Sequence, residues 1–226
     1  MLLNRRCWCA FLFYLFLCLH LFVRPAAAAT NGDSSSAERR LNEGSVIVDI
    51  TERNKIKFVV GRILIAAPPE KVWPILVNPY EFAGKISPRM KNVEVLVDQS
   101  ELSVLRCNFN VCFPLPEITY TVESRYVPGD SVEFRRVSGV IKDFKGRWAL
   151  KPRNGGRTTE VIYSMFIDPG FAVPHWIVRE AVKVELPRTL TALRQRVNRV
   201  VGGGVNAESR SIEAVRYHFG HNQPTI

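Results

Sequence analysis

The chain has 226 residues, 46% hydrophobic and 23% charged, a balance that excludes both a disordered protein and one wholly embedded in a membrane. Its formal net charge of +10 includes Arg5, Arg6 and Arg24, which lie in a leader without acidic residues. The remaining excess is spread out and shows neither an aromatic-spaced basic motif nor a recognition-helix pattern, so no nucleic acid partner is expected.

Residues 1–29 read as a targeting segment: Arg5 and Arg6, an apolar run from Cys7 to Val23, then Pro25 and four alanines offering A-x-A cleavage choices. The run is at the lower limit for crossing a bilayer. A cleaved secretion signal is the first expectation and an uncleaved membrane anchor the second; either leaves the body of the protein outside the cytoplasm, periplasmic or secreted. Residues 30–44 (TNGDSSSAERRLNEG) are polar and small, and read as a flexible linker with too little apolar surface to fold alone.

Strand patterns begin at Ser45–Ile50 and Lys55–Ala66, the second with Phe58 and Leu64 on one face and Val59 and Ile63 on the other. Ala67 to Val77 reads as a short helix with proline near its start, stopped by Asn78-Pro79, and Tyr80–Ile86 as a second. Six further strands follow: Val93–Asp98, Leu102–Phe113, Glu117–Val127, Ser131–Ser138, Asp143–Lys151 and Thr158–Asp168. The breakers between them, such as Pro128-Gly129-Asp130 and Asn154-Gly155-Gly156, are too short for parallel crossovers, so an antiparallel meander is predicted.

One long helical pattern closes the fold. Val178, Val182, Leu186, Leu190, Leu193, Val197 and Val201 recur every three or four residues and form one stripe, with arginines and lysines largely off it. Pro187 removes a backbone donor midway, which predicts a bend and suits a curved partner sheet. Residues 202–226, opening with Gly202-Gly203-Gly204, read as a flexible C-terminal tail. This leaves 45–201 as the folded domain, of class α+β.

Five stretches, GRILIAAPPEKVWPILVNPYEF (61–82), SPRMKNVEVL (87–96), VSGVIKDFKGRWAL (137–150), TTEVIYSMFIDPGFAVPHWIV (158–178) and LPRTLTALRQRV (186–197), together resemble the START-like (SRPBCC) superfamily, specifically its polyketide cyclase/dehydrase and coenzyme Q-binding protein group. The resemblance covers about two thirds of the chain. It implies a helix-grip fold: a curved antiparallel sheet of about seven strands wrapped around the C-terminal helix, with two short helices after the first strand and a cavity for an apolar ligand. It carries over no catalytic residue, since the group shares no universal catalytic motif.

Alternation points Tyr120, Val122, Phe144, Trp148, Tyr163 and Met165 inward, and the helix adds Trp176 and Val182; these eight are the expected pocket lining. Such walls suit a lipid, quinone or polycyclic compound, unless the aromatics fill the core outright. Asp168-Pro169-Gly170 reads as a turn with a capping aspartate, and Arg62, Arg106 and Arg125 as salt-bridged arginines more readily than as ligand anchors. Cys107 and Cys112 lie five apart in an alternating pattern and read as free thiols. His218 and His221 form H-x-x-H without a supporting cysteine or carboxylate set, and no phosphate loop, nucleophile elbow or HExxH motif occurs, so no metal and no cofactor are expected. The expected function is binding or carriage of a hydrophobic small molecule, possible membrane association included. The alternatives are a cyclase or dehydratase using Tyr120, Tyr163 or His175 for proton transfer, or a partner-binding scaffold with a vestigial pocket.

Overall fold

The computed structural model describes residues 34–110, 117–170 and 175–219. The chain divides into two units, Met1–Ser36 and Ala37–Ile226, and the sheet with its covering helices belongs wholly to the second. The expected leader, the second cysteine (Cys112) and the end of the tail lie outside the described residues.

Eight strands follow one helix: α1 (Ser34–Asn42), β1 (Ile47–Arg53), β2 (Ile56–Ile65), α2 (Pro69–Leu76), α3 (Pro79–Phe82), β3 (Met90–Gln99), β4 (Leu102–Phe109), β5 (Ile118–Val127), β6 (Ser131–Gly139), β7 (Asp143–Arg153), β8 (Thr158–Asp168) and the long helix α4 (His175–Phe219). All strands join one antiparallel sheet in the order β1-β2-β8-β7-β6-β5-β4-β3. The first two strands form a tight hairpin through Asn54 and Lys55, both at positive φ (50° and 62°), the geometry whose twist matches paired strands. From β2 the chain must reach the opposite edge of the sheet. Across six strand spacings a flat sheet would separate β2 from β3 by about 29 Å, and α2 and α3 carry the chain over that gap. The meander then returns strand by strand until β8 pairs with β2.

The predicted helical stripe is the one that is buried. Val182, Leu186, Leu190, Leu193 and Val197 are all shut from solvent, with Leu190, Leu193 and Val197 at 0% exposure. Each such side chain contributes about 1.5–3 kcal/mol by leaving water. They sit on β2, where Gly61 leaves the space that Leu186 and Leu190 occupy. Pro187 lies within α4, and Thr189 two residues on donates to the Glu185 carbonyl at 3.2 Å.

Two expectations are corrected. Within the span read as a linker, Ser34–Asn42 is helical. The cause is tertiary: Leu41 is fully buried, and the Glu38 carboxylate accepts from Arg62 at 2.9 Å and pairs with Arg153 at 3.0 Å, partners that local composition cannot reveal. Likewise α4 does not end at Val201 but continues through Gly202–Gly204 to Phe219. Glycine lowers helix propensity by about 1 kcal/mol, yet extending an established helix adds one hydrogen bond per residue fixed, whereas starting one does not.

Candidate ligand site

Register places the inward face without ambiguity. Trp148 lies opposite Tyr163, Phe144 opposite Ile167, Phe134 opposite Gly146, Val122 opposite Arg136 and Cys107 opposite Tyr120. Partners across an antiparallel pair share a face, so the strand residues chosen from alternation do lie together on the side that the helices cover.

They form a belt of rings. Trp148 and Tyr163 stack at 3.7 Å between centroids with planes 7° apart; Phe134 packs 6.0 Å from Tyr163 and 5.1 Å from Phe144, and Phe144 lies 5.6 Å from Tyr120. Phe82 of α3 meets Trp148 edge-on at 6.0 Å. Gly146 makes room for this: a Cβ there would stand 2.5 Å from Phe134 Cζ. Tyr120, Val122, Trp148 and Tyr163 are buried, and Phe144 and Met165 pack partly buried against the same core.

Two clefts flank the belt. The first, of about 390 Å³, lies where α4 begins, between Ile56 and Val59 of β2, Met165 and Ile167 of β8, and Val178 and Val182 of the helix, with Lys55, Lys57 and Asp168 also lining it. The second, of about 440 Å³, lies between the short helices and β3–β5, lined among others by Trp73, Val77, Val95, Leu105 and Tyr126. In the second, the Tyr126 hydroxyl is hydrogen-bonded to Ser103, and Trp73 meets the Tyr126 ring edge-on. Of the eight expected lining residues, Met165 and Val182 border the first cleft. Tyr120, Val122, Phe144, Trp148 and Tyr163 border neither of these two, and the Trp176 side chain lies outside the described residues.

The second cleft was not legible beforehand, because Trp73 of α2 and Val77 just after it reach it only through the crossover. Its one sequence signal is the run VWPILV, more apolar than a solvated helix needs.

The tyrosine hydroxyls of the ring belt are neutral. Burial pushes the Tyr120 and Tyr163 hydroxyls well above the ordinary tyrosine range. Tyr163 donates to Met165 Sδ at 3.3 Å, a weak acceptor, and Tyr120 faces the buried thiol of Cys107. Neither hydroxyl has a carboxylate or imidazole beside it among the described residues. Asp168 accepts from the Gly170 amide at 3.0 Å and pairs with Lys142 at 3.1 Å, which is the capped turn expected. Arg62, Arg106 and Arg125 are likewise engaged with Glu160, Glu94 and Glu123. Among the described residues no group of three or more His, Cys, Asp or Glu could hold a metal ion, and no helix is long and apolar enough to cross a membrane.

An eight-stranded curved antiparallel sheet gripping a long C-terminal helix, with two short helices early in the chain, defines the helix-grip class of the START-like superfamily. Residues 58–198 match the family described as polyketide cyclase / dehydrase and lipid transport, and the chain belongs to that family. No curated protein matches the sequence closely. Among solved structures it is similar to the STAR-related lipid transfer protein from Xanthomonas axonopodis (22% identity over 68% of this chain and 94% of that one, TM-score 0.58) and the Zhui aromatase/cyclase from Streptomyces sp. R1128 (18%, 64% and 94%, TM-score 0.56). It is also similar to human STARD10 (10%, 79% and 84%, TM-score 0.54). At these identities the likeness is one of fold.

Proposed function

We propose that the protein binds and carries a hydrophobic small molecule, a lipid, quinone or polycyclic compound, between its sheet and its long helix. The observation that carries this reading is the first cleft: Ile56, Val59, Met165, Ile167, Val178 and Val182 offer an apolar wall at the start of α4, with lysines and an aspartate at its edge. A site of that size and lining gains affinity from apolar burial and orientation from a few polar groups. Family membership supports the same reading, since lipid transport is one of the two activities that the family description joins. The other, cyclase or dehydrase chemistry, requires a group able to move a proton, and the tyrosines first in line for it are deeply buried with raised pKa values and sulfur partners.

The protein works outside the cytoplasm in this proposal, at or near a membrane surface. The arginine-led apolar leader and the net charge of +10 support that placement. Native mass spectrometry of the full chain purified from its own host, followed by solvent extraction, tests the proposal: a bound lipid, quinone or other apolar compound at one per chain is expected. Consistently empty protein that takes up no amphiphile would end it.

A further inference from the structure

The second cleft has no part in the carrier proposal. Among the described residues that border it, Asp98 alone is charged; Trp73 and Tyr126 supply rings, Ser103 a buried hydroxyl, and Val95 and Leu105 an apolar floor. Asp98 stands there because of an irregularity in β3. Val95 pairs with Leu105 but Val97 with Val104, which leaves Leu96 as an extra residue and reverses the alternation beyond it. Asp98 therefore lies opposite Ser103, on the face that the helices cover, where unbroken alternation from Val93 and Val95 would have turned it outward. Its carboxylate has no ion-pair partner among the described residues.

The groups around Asp98 are held in place. The hydroxyls of Tyr126 and Ser103 are hydrogen-bonded, which orients the phenol, and Trp73 meets the Tyr126 ring edge-on, with centroids 6.4 Å and planes 85° apart. Burial raises the Tyr126 pKa against the lowering effect of the Ser103 hydrogen bond, and the charge of Asp98 adds to the rise, so carboxylate and neutral phenol are neighbours. An aromatic face attracts a cation within about 6 Å of its centroid. Among the described residues the chain's own cation over a ring is Lys145 on Phe166, so neither Trp73 nor Tyr126 is already occupied in this way.

From this we infer that the second cleft is a separate binding site for an organic ammonium ion, held by the Asp98 carboxylate and the rings of Trp73 and Tyr126. A carboxylate without a counter-charge beside two ring faces is complementary to a cation, and it repels an anion. The first cleft has Lys55 and Lys57 at its edge, so the two clefts sort their ligands by charge. Asp98 stands at the exposed rim, which makes its attraction moderate and sensitive to salt. Apolar Val77, Val95 and Leu105 take whatever hydrocarbon the ammonium carries. The inference does not rest on the carrier reading, which concerns the first cleft.

Calorimetric titration of the full chain at low salt with decyltrimethylammonium, tetramethylammonium and decanol tests it, with methyl NMR to locate each probe. Decyltrimethylammonium should bind about fivefold or more tightly than decanol, the effect of one moderate cation contact, and should shift the methyl signals of Val77, Val95 and Leu105 ahead of those of Val59 and Val182. Tetramethylammonium bound at the same methyls supports the site as one for a free amine; its failure to bind beside bound decyltrimethylammonium supports an amphiphile with an ammonium head. Asp98→Asn should lose most of the preference while binding decanol as before, and Trp73→Leu should lose part of it. Near-UV circular dichroism shows whether Trp73→Leu folds, and where it does not, Asp98→Asn at the exposed rim is decisive. Equal binding of decyltrimethylammonium and decanol, an unchanged preference in Asp98→Asn, or shifts confined to Val59 and Val182 would overturn the site. Lipid extracted from the native protein tests the first cleft alone, so either reading can fail without the other.

Discussion

Gly61 of β2 lies directly beneath Leu186 of α4: a Cβ on the glycine would stand 1.8 Å from Leu186 Cδ2 and 2.6 Å from Leu190 Cδ1. The helix therefore rests on backbone here, and the grip is as close as it can be. Gly61→Ala must push two fully buried leucines aside, and overpacking of this kind costs about 1–3 kcal/mol. A lowered urea midpoint with unchanged slope is the expected result; an unaltered midpoint would mean that helix and strand do not meet there.

Glu160 is 1% exposed and takes Arg62 Nε and Arg153 Nη2, each at 2.6 Å. Replacing it with glutamine leaves the two guanidinium groups with the more exposed Glu38 as their one carboxylate partner among the described residues. The loss should be about 3 kcal/mol, at the low end for a broken buried pair, because Arg153 remains partly solvated. Since Glu38 of α1 binds the same arginines, limited proteolysis should also open the chain around residues 34–46 in Glu160→Gln.

The same carboxylate sets an acid dependence. Burial pushes the Glu160 pKa up, but hydrogen bonds from Arg62 and Arg153 more than offset this and hold it below the ordinary value of 4.5. A depressed folded-state pKa means stability that is present above pH 4.5 and lost as pH falls through the folded value. Urea midpoints of the parent should thus drop on acidification below about pH 4.5, and the drop should be smaller in Glu160→Gln.

Arg196 of α4 grips Glu81 of α3 with two hydrogen bonds, the second at 3.0 Å, and this pairing is the main reason that the Glu81 pKa lies below the usual range. It fastens the crossover to the long helix. Arg196→Met should lower the urea midpoint and speed amide exchange selectively in residues 79–89. Uniformly faster exchange would show that the pair holds no particular element.

Cys107 is buried, and burial, partly offset by the hydrogen bond with Tyr120, raises its thiol pKa to about 12. Below that pH the reactive thiolate is scarce. At pH about 8 iodoacetamide should label Cys107 only after unfolding, as read by peptide mass mapping of native against denatured protein. Rapid labelling of the native chain would place it at the surface.

Much of the fold was legible before any coordinates. The eight strand stretches agree with the observed strands to within a few residues, and the apolar stripe from Val182 to Val197 is the buried face of α4. The inward set from Tyr120 to Met165 was readable from alternation because a strand's side chains take opposite faces in turn. The site was less legible. Alternation says that Trp148 and Tyr163 face inward, but not that they lie on neighbouring strands and stack, which fills space that a list of lining residues would leave open.

The sequence thus specifies what depends on chain neighbours: periodicity, turns, and the apolar face of each element, all properties of bonds and dihedral angles a few residues apart. What folding adds depends on groups distant in the chain. Glu160 meets Arg62 across 98 positions, and α1 forms because Arg62 and Arg153 wait for Glu38. Burial then magnifies those meetings, since a charge or donor removed from water must be answered by whatever the fold brings beside it.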